Sequence, residues 1–270
     1  MTRRSGTLSV IVPAYNEEKT IGRVLSQLLS LESLLEIIVI DDCSHDRTNE
    51  LANEFAALHP EVKVIRHAQN AGKTEALKTG FAASRGDVVI VQDADLEYDP
   101  ADIPGVISLI LKGDADVVFG SRFQVRKAAR VLYYYHYVAN KSLTFLSDMF
   151  TNLNLTDVET GYKAFRGEII RNMVITSSGF GFEIEVTAKI AKLHCVIYEV
   201  PISYYGRTYE EGKKIGPIDG IHALWYIFYY NVLVSVEKSF SNLASLQQNI
   251  LQHRQSSVDR VDIPETAKVR

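Results

Sequence analysis

The chain has 270 residues, 46% of them hydrophobic and 23% charged, a balance that supplies one sizeable core and excludes disorder, collagen and coiled coil. Its 29 Lys and Arg against 33 Asp and Glu leave a net charge of −4, which argues against a nucleic-acid partner, since such proteins carry a basic face.

The first 120 residues alternate strand and helix patterns. Leu8 to Val12 is a β-rich run closed by Pro13, and Asn16 is placed to cap a helix from about Glu17. Glu36 to Ile40 reads as a second buried strand. Ser44 or Asp46 caps the next helix, which carries Leu51, Phe55 and Leu58. Val62 to Ile65, Asp87 to Val91 and Ala115 to Phe119 are further strands, separated by helices over about Lys73–Ala83 and Ile103–Lys112. Such alternation predicts an α/β fold with a mostly parallel, Rossmann-like sheet flanked by helices. Sheets of this kind bind ligands at the carboxyl ends of their strands.

The second half differs. Val131 to Phe150 is rich in aromatics, a helix is expected over Glu183 to about Leu193, and Val196 to Tyr205 reads as a strand broken at Pro201. Arg207 to Pro217 is a charged loop, followed by helices over about Ile218–Val236 and Glu237–Leu251. The expected organisation is one domain over 1–251, with halves near 8–122 and 123–251, and a flexible polar tail over 252–270. No signal peptide is expected, and Gly220 to Val236 lies at the short limit for a spanning helix, so none is expected there. Cys43 and Cys195 form no disulfide framework, which points to a reducing, cytoplasmic compartment.

Polar residues gather where the strands end. Asp93-Ala-Asp95 sets two carboxylates on one side of extended chain, an arrangement that calls for a cation between them or for solvent at an acidic turn. Pro13 stops the first strand and leaves Tyr15 and Glu17 facing a ligand. Asp42 has two readings, accepting hydrogen bonds from a ribose or base and capping a helix. Asn70-Ala-Gly-Lys73-Thr74 lacks the first glycine of a phosphate-binding loop, because position 67 is His, yet Lys73 at a helix start still attracts phosphate. Arg122, Arg126, Lys127, Arg130, Arg207, Lys213 and Lys214 form a basic set suited to phosphate oxygens, or ordinary solvated charge.

Taken in order, Val12–Glu18, Ile40–Thr48, Asn70–Leu77, Gln92–Pro100 and Phe119–Arg122 resemble the motifs of family 2 glycosyltransferases of the GT-A fold. Asp157-Val-Glu-Thr-Gly-Tyr-Lys-Ala-Phe-Arg166 and Pro201-Ile-Ser-Tyr-Tyr-Gly-Arg207 resemble the branch acting on polyprenyl or dolichyl phosphate with mannose or glucose. The resemblance implies a metal-dependent, inverting hexosyltransferase using GDP-mannose or UDP-glucose. It implies that Pro13, Tyr15, Glu17, Asp42, Lys73 and Asp93 hold the nucleotide. Asp93, Asp95 and Glu97 would bind Mg²⁺ or Mn²⁺, and Asp95, Arg122, Arg207 and Lys213 would act on the donor diphosphate and acceptor phosphate, with Arg130 loosely aligned.

The chain departs from the branch at Glu210 and Glu211, where smaller residues are usual. An alternative acceptor, a sugar hydroxyl in polysaccharide or glycoconjugate assembly, requires a general base, for which Glu183 and Glu185 are the candidates. For a lipid acceptor the aromatic stretches Val131–Phe150 and Ile221–Val236 suit contact with the cytoplasmic surface of a membrane, and equally suit burial as packing helices, a homodimer or an integral membrane partner.

Overall fold

Strands that are apolar on both faces occupy the centre of the protein, as expected for a sheet covered on each side. The computed structural model describes residues 6–124, 133–206 and 217–258. Among these, β1 (Leu8–Ala14), β2 (Leu34–Asp41), β3 (Val62–Arg66), β4 (Val88–Val91), β5 (Val117–Ser121), β6 (Lys163–Arg166) and β7 (Ile197–Pro201) form one sheet in the order β3-β2-β1-β4-β6-β5-β7. Neighbours pair in parallel except at β6, which runs antiparallel between β4 and β5. β6 is absent from the expected strands because it is only Lys-Ala-Phe-Arg, with a charge at each end hiding its apolar centre.

The helices are α1 (Ile21–Leu28), α2 (Thr48–Leu58), α3 (Lys73–Ala83), α4 (Ile103–Lys112), α5 (Tyr134–Thr151), α6 (Gly167–Asn172), α7 (Phe182–Lys192), α8 (Pro217–Phe228) and α9 (Leu243–Val258). Alternating strand residues separate two cores. Val10, Val12, Ile37, Val39 and Ile90 pack with α1, α2 and α4, while Ile11, Ile38, Ile40, Val89 and Val91 pack with α3, α6, α7 and α9. Gly80 lets α3 lie flush on β1, since a Cβ there would collide with Ile11. A third, smaller cluster joins Ile184 of α7 to Ala223 and Ile227 of α8, with Leu143 and Leu146 of α5 against it.

Two sequence expectations shift for tertiary reasons. Asn16 does not cap a helix at Glu17. It takes φ +57°, and α1 starts at Ile21. Its N–H donates to Ser44 Oγ at 3.0 Å and its Oδ1 accepts from His45 N–H at 2.9 Å, so bonds between two loops replace local capping. In the carboxyl-terminal part α8 ends at Phe228, continues as a π turn over Tyr229–Leu233, and turns extended at Val234. Lys192 Nζ caps that turn by donating to the carbonyls of Tyr230, at 2.6 Å, and Val234. The following helix begins only at Leu243. Before it, Ser239 O accepts from Val174 N–H at 2.9 Å and Ser241 N–H donates to Asn172 O at 2.9 Å, committing this stretch to tertiary pairing. α9 remains helical to Val258, beyond the expected tail boundary at Gln252.

The chain leaves β1 towards β2 on one side and comes back to β4 on the other. The crevice at the carboxyl ends of β1 and β4 is therefore the place where this topology opens to a ligand.

Candidate active site

The loop after β1 is clasped to the loop after β2. Glu17 N–H donates to Thr48 Oγ1 at 2.7 Å, Glu18 N–H to Asp46 Oδ2 at 3.1 Å, and Arg47 N–H to Glu18 Oε2 at 3.1 Å. Asp46 also accepts from the Thr48 N–H at 3.0 Å, just ahead of α2, but the cap position of that helix is Arg47 and not the expected Ser44 or Asp46. Pro13 lies within β1, Tyr15 follows it with its ring edge-on to His45, and Glu17 is buried with Oε2 accepting from Thr20 Oγ1 at 3.1 Å.

Asp42 stands just past β2 and is nearly buried. Its Oδ1 meets His67 Nδ1 at 2.7 Å and accepts from Ala71 N–H at 2.9 Å, while Oδ2 accepts from Gly72 N–H at 2.8 Å. The carboxylate fastens the loop that delivers Lys73 and does not cap α2, whose cap position is Arg47.

Lys73 opens α3 directly after Gly72, whose φ of +89° suits glycine. Its ammonium lies 2.9 Å from Asp93 Oδ1 and 3.1 Å from Oδ2, and 3.5 Å from Glu183 Oε1 in the first turn of α7. Burial pulls the Lys73 pKa down, but the charges of Asp93 and Glu183 outweigh it and leave it raised. Glu183 is 4% exposed, and its Oε2 has no hydrogen-bond partner among the described residues. Gly161 makes room for Asp93, since a Cβ there would stand 2.8 Å from Oδ2.

Asp95 Oδ1 accepts from Glu97 N–H at 3.1 Å across Leu96, which adopts φ +60°. Glu97 Oε2 accepts from Tyr204 Oη at 2.8 Å, and Tyr205 N–H donates to Glu97 O at 2.8 Å. The Asp-x-Asp loop is thus tied to the segment after β7. Tyr98 stacks on Tyr162 at 4.8 Å and leans on Tyr204 at 5.3 Å, forming a floor beneath the loop. Burial raises the pKa of Tyr98, Tyr162 and Tyr204, so all three are neutral hydroxyls.

Arg122 follows β5, and its fork closes on Asp157. Nε and Nη2 each donate to one carboxylate oxygen at 2.7 Å, and the backbone N–H donates at 3.1 Å. The guanidinium also lies over the Tyr204 ring at 5.1 Å. Burial opposes both charges, but each partner overcomes it for the other, raising the Arg122 pKa and lowering that of Asp157. The guanidinium and Asp157 form a bidentate pair that fixes the Asp157–Tyr162 loop. Behind this pair Glu159 is pushed up by burial and by the Glu183 charge, and Lys163 is pulled down by burial. Lys163 donates to Val158 O at 2.8 Å and to Thr160 O at 2.5 Å.

Lys73, Asp93 and Glu183 are therefore joined directly. Asp95, Glu97 and Arg122 line the same edge, and Pro13, Tyr15, Glu17 and Asp42 form its β1–β2 side. Arg207 and Lys213, with Arg126, Lys127, Arg130 and Lys214, lie outside the described residues. Asp157, Tyr98, Gly161, Tyr162 and Tyr204 emerge only from the structure. The signal available for them was the motif stretches they lie in, Gln92–Pro100, Asp157–Arg166 and Pro201–Arg207, which say nothing of pairing. Among the described residues no three His, Cys, Asp or Glu side chains converge as a metal-holding group, and Glu97 is engaged by Tyr204. What remains is a pair of hard oxygen donors, Asp93 and Asp95, one of which already holds a cation in the form of an ammonium. That donor chemistry fits Mg²⁺ or Mn²⁺ once substrate oxygens complete the shell.

Comparison with known proteins adds to this geometry. The sequence model of the family described as "Glycosyl transferase family 2" matches residues 9–174. An undecaprenyl-phosphate mannosyltransferase of Micrococcus luteus is 32% identical over 220 residues, covering 78% of this chain and 88% of that protein. A dolichol-phosphate mannosyltransferase of Pyrococcus furiosus is 32% identical over 213 residues, covering 77% of this chain and 59% of that protein. Among solved structures, glucosyl-3-phosphoglycerate synthase from Mycobacterium tuberculosis, in complex with Mn²⁺, UDP and glucosyl-3-phosphoglycerate, superimposes with a TM-score of 0.66 at 20% identity, covering 86% of this chain and 82% of that one. This likeness shows a shared GT-A fold.

Proposed function

The chain belongs to glycosyl transferase family 2 and is a glycosyltransferase, and from that membership we propose that it moves a hexose from a nucleotide sugar to a polyprenyl phosphate. The observation that carries the reading is the Asp93–Asp95 pair at the β4 end of the crevice, with an ammonium already on Asp93. Asp93 and Asp95 would hold a divalent cation, Mg²⁺ or Mn²⁺, which when bound supplies positive charge against the leaving diphosphate. The loops after β1 and β2, clasped through Thr48 and Asp46, hold the nucleoside. Arg207 and Lys213 supply the positive charge that meets the phosphates. The mannosyltransferase names of the relatives favour a GDP-mannose donor, with UDP-glucose the second candidate. An acceptor phosphate is anionic near neutral pH, so it needs placement by cations and not a base.

No helix among the described residues is long and apolar enough to cross a membrane. A lipid acceptor then has to be met at the surface. α5 and α8 pack together and expose Tyr134, Tyr135, Phe145, Ile221, Trp225 and Phe228, an amphipathic set suited to the cytoplasmic face of a membrane. A groove of about 530 Å³ beside them is lined by Tyr137, Val138, Lys141 and Phe145. We read residues 1–251 as one working unit on that surface.

A second reading keeps the donor and replaces the acceptor by a sugar hydroxyl, with Glu183 as base. Glu183 Oε2, which has no hydrogen-bond partner among the described residues, favours it. A transfer assay separates the two: purified protein, Mn²⁺ or Mg²⁺, GDP-mannose or UDP-glucose, and a polyprenyl phosphate in detergent. The lipid reading expects a cation-dependent glycolipid, with Asp95→Ala reducing its formation by about 100-fold or more. Donor turnover without glycolipid, abolished by Glu183→Gln, would favour the hydroxyl.

A further inference from the structure

We propose that Lys73 guards the cation site: its ammonium and an incoming divalent cation compete for Asp93, and the cation wins only by arriving with the nucleotide diphosphate, when Lys73 turns onto Glu183. The proposal rests on the reading that Asp93 and Asp95 take a cation.

Three observations carry it. Lys73 Nζ bridges both oxygens of Asp93, at 2.9 and 3.1 Å, so the carboxylate's open side is taken by a positive charge. A divalent cation on the same oxygens would sit within a few ångströms of that ammonium, and like charges at such range in a largely buried site repel strongly. The second observation is Glu183. It is 4% exposed, its Oε1 already lies 3.5 Å from Lys73, and its Oε2 has no partner among the described residues. A buried carboxylate with an unsatisfied oxygen is costly to keep. It becomes satisfied when Lys73 swings fully onto it, and that movement needs side-chain rotation alone. Third, Lys73 starts α3, where the helix dipole disfavours a cation. The ammonium is therefore held by its two carboxylates and follows whichever of them is not otherwise engaged. Gly161 keeps Asp93 within reach, since any Cβ there would crowd Oδ2.

The consequence is synergy. A cation alone must displace Lys73 without help. A cation carried by a diphosphate adds negative charge to the site and gives Asp93 a stronger partner. Wild type should bind the bare ion weakly and the ion–nucleotide complex tightly.

The test is Mn²⁺ binding, followed by the electron paramagnetic resonance of free Mn²⁺, with and without GDP or UDP. Lys73→Met should bind Mn²⁺ alone at least tenfold more tightly than wild type, and the gap should shrink when the nucleotide is added. Lys73→Met affinity equal to or below that of wild type, with Asp95→Ala still removing the ion, would overturn the guard while leaving the cation reading intact. If Asp95→Ala leaves Mn²⁺ binding unchanged in both backgrounds, the cation reading itself fails and the guard with it. Lys73→Met strands two carboxylates and its folding is checked by circular dichroism. Glu183→Gln provides the independent arm. It removes the ammonium's second station, so Mn²⁺ affinity in the presence of nucleotide should fall severalfold; an unchanged value would contradict the proposal.

Discussion

At the scale of single residues, the Arg122–Asp157 pair sets what the edge of the site tolerates. Asp157 is fully buried, and its carboxylate accepts three hydrogen bonds from Arg122. Two charges taken out of water are stable only together, and removing one leaves the other uncompensated. Asp157→Ala should cost about 3–5 kcal/mol in urea denaturation, by the usual size of a broken buried pair. The double variant Arg122→Met, Asp157→Leu should recover much of that loss, because no orphaned charge remains. A single-variant loss below about 1 kcal/mol would show that water reaches the pair, returning Arg122 to the phosphate role its position suggested. The residue types at the site were legible in the sequence, since Asp93, Asp95, Lys73 and Glu183 all stand where strands end or helices begin. Their partners were not. Nothing local to Arg122 says that its fork meets a carboxylate supplied from beyond α5, and nothing local to Asp42 says that it holds the loop at Ala71 and Gly72.

At the scale of elements, long periodic runs declared themselves and short or tertiary-held ones did not. β1, β2 and α3 lie close to where hydrophobic period places them. β6 and the Val236–Asn242 stretch take their form from neighbours, through ladder bonds in one case and bonds to Asn172 and Val174 in the other. α5 contains a further case in which context overrides composition. Asp148 lies in its last turn, where the exposed carbonyls disfavour negative charge. Burial pushes the Asp148 carboxyl up to about 6, and the Glu199 charge adds to this against a partly compensating bond from Leu155 N–H. The unfolded chain titrates near 3.8, so the native state binds more protons between 3.8 and about 6. Stability therefore falls as pH rises through that window and stays reduced above it. Asp148→Asn keeps an acceptor for Leu155 and removes the charge. Its stability advantage over wild type should be small at pH 4.5 and larger at pH 8, as read by urea titration at each pH. An advantage that does not grow with pH would mean that Asp148 is ionised without penalty.

At the scale of the whole molecule, the crevice and the exposed aromatic face are linked through α7. Its first turn presents Glu183 to Lys73, and one turn of its side packs Ile184 against Ala223 and Ile227 of α8. Gly181, just before α7, lies so close to the Tyr226 ring that a Cβ would stand 2.5 Å from it. A surface that engages α5 and α8 would thus lie one helix away from the proposed cation site at Asp93 and Asp95, which suits an acceptor whose phosphate enters the crevice while its chain stays in lipid. Trp225 is the chain's single tryptophan and is 54% exposed on α8, so its fluorescence reports on this face alone. With vesicles containing anionic lipid the emission should shift to the blue and be quenched by lipids brominated along their chains. Fully burying a large apolar side chain contributes about 1.5–3 kcal/mol, so Tyr135→Ser with Phe145→Ser should weaken vesicle binding about tenfold or more. Those positions lie on α5, away from Lys73, Asp93 and Asp95, and cation binding in solution should be unaffected by them. An emission spectrum indifferent to lipid would instead mean that protein covers the face, and sedimentation would then show a dimer whose mass falls to that of one chain in the same double variant.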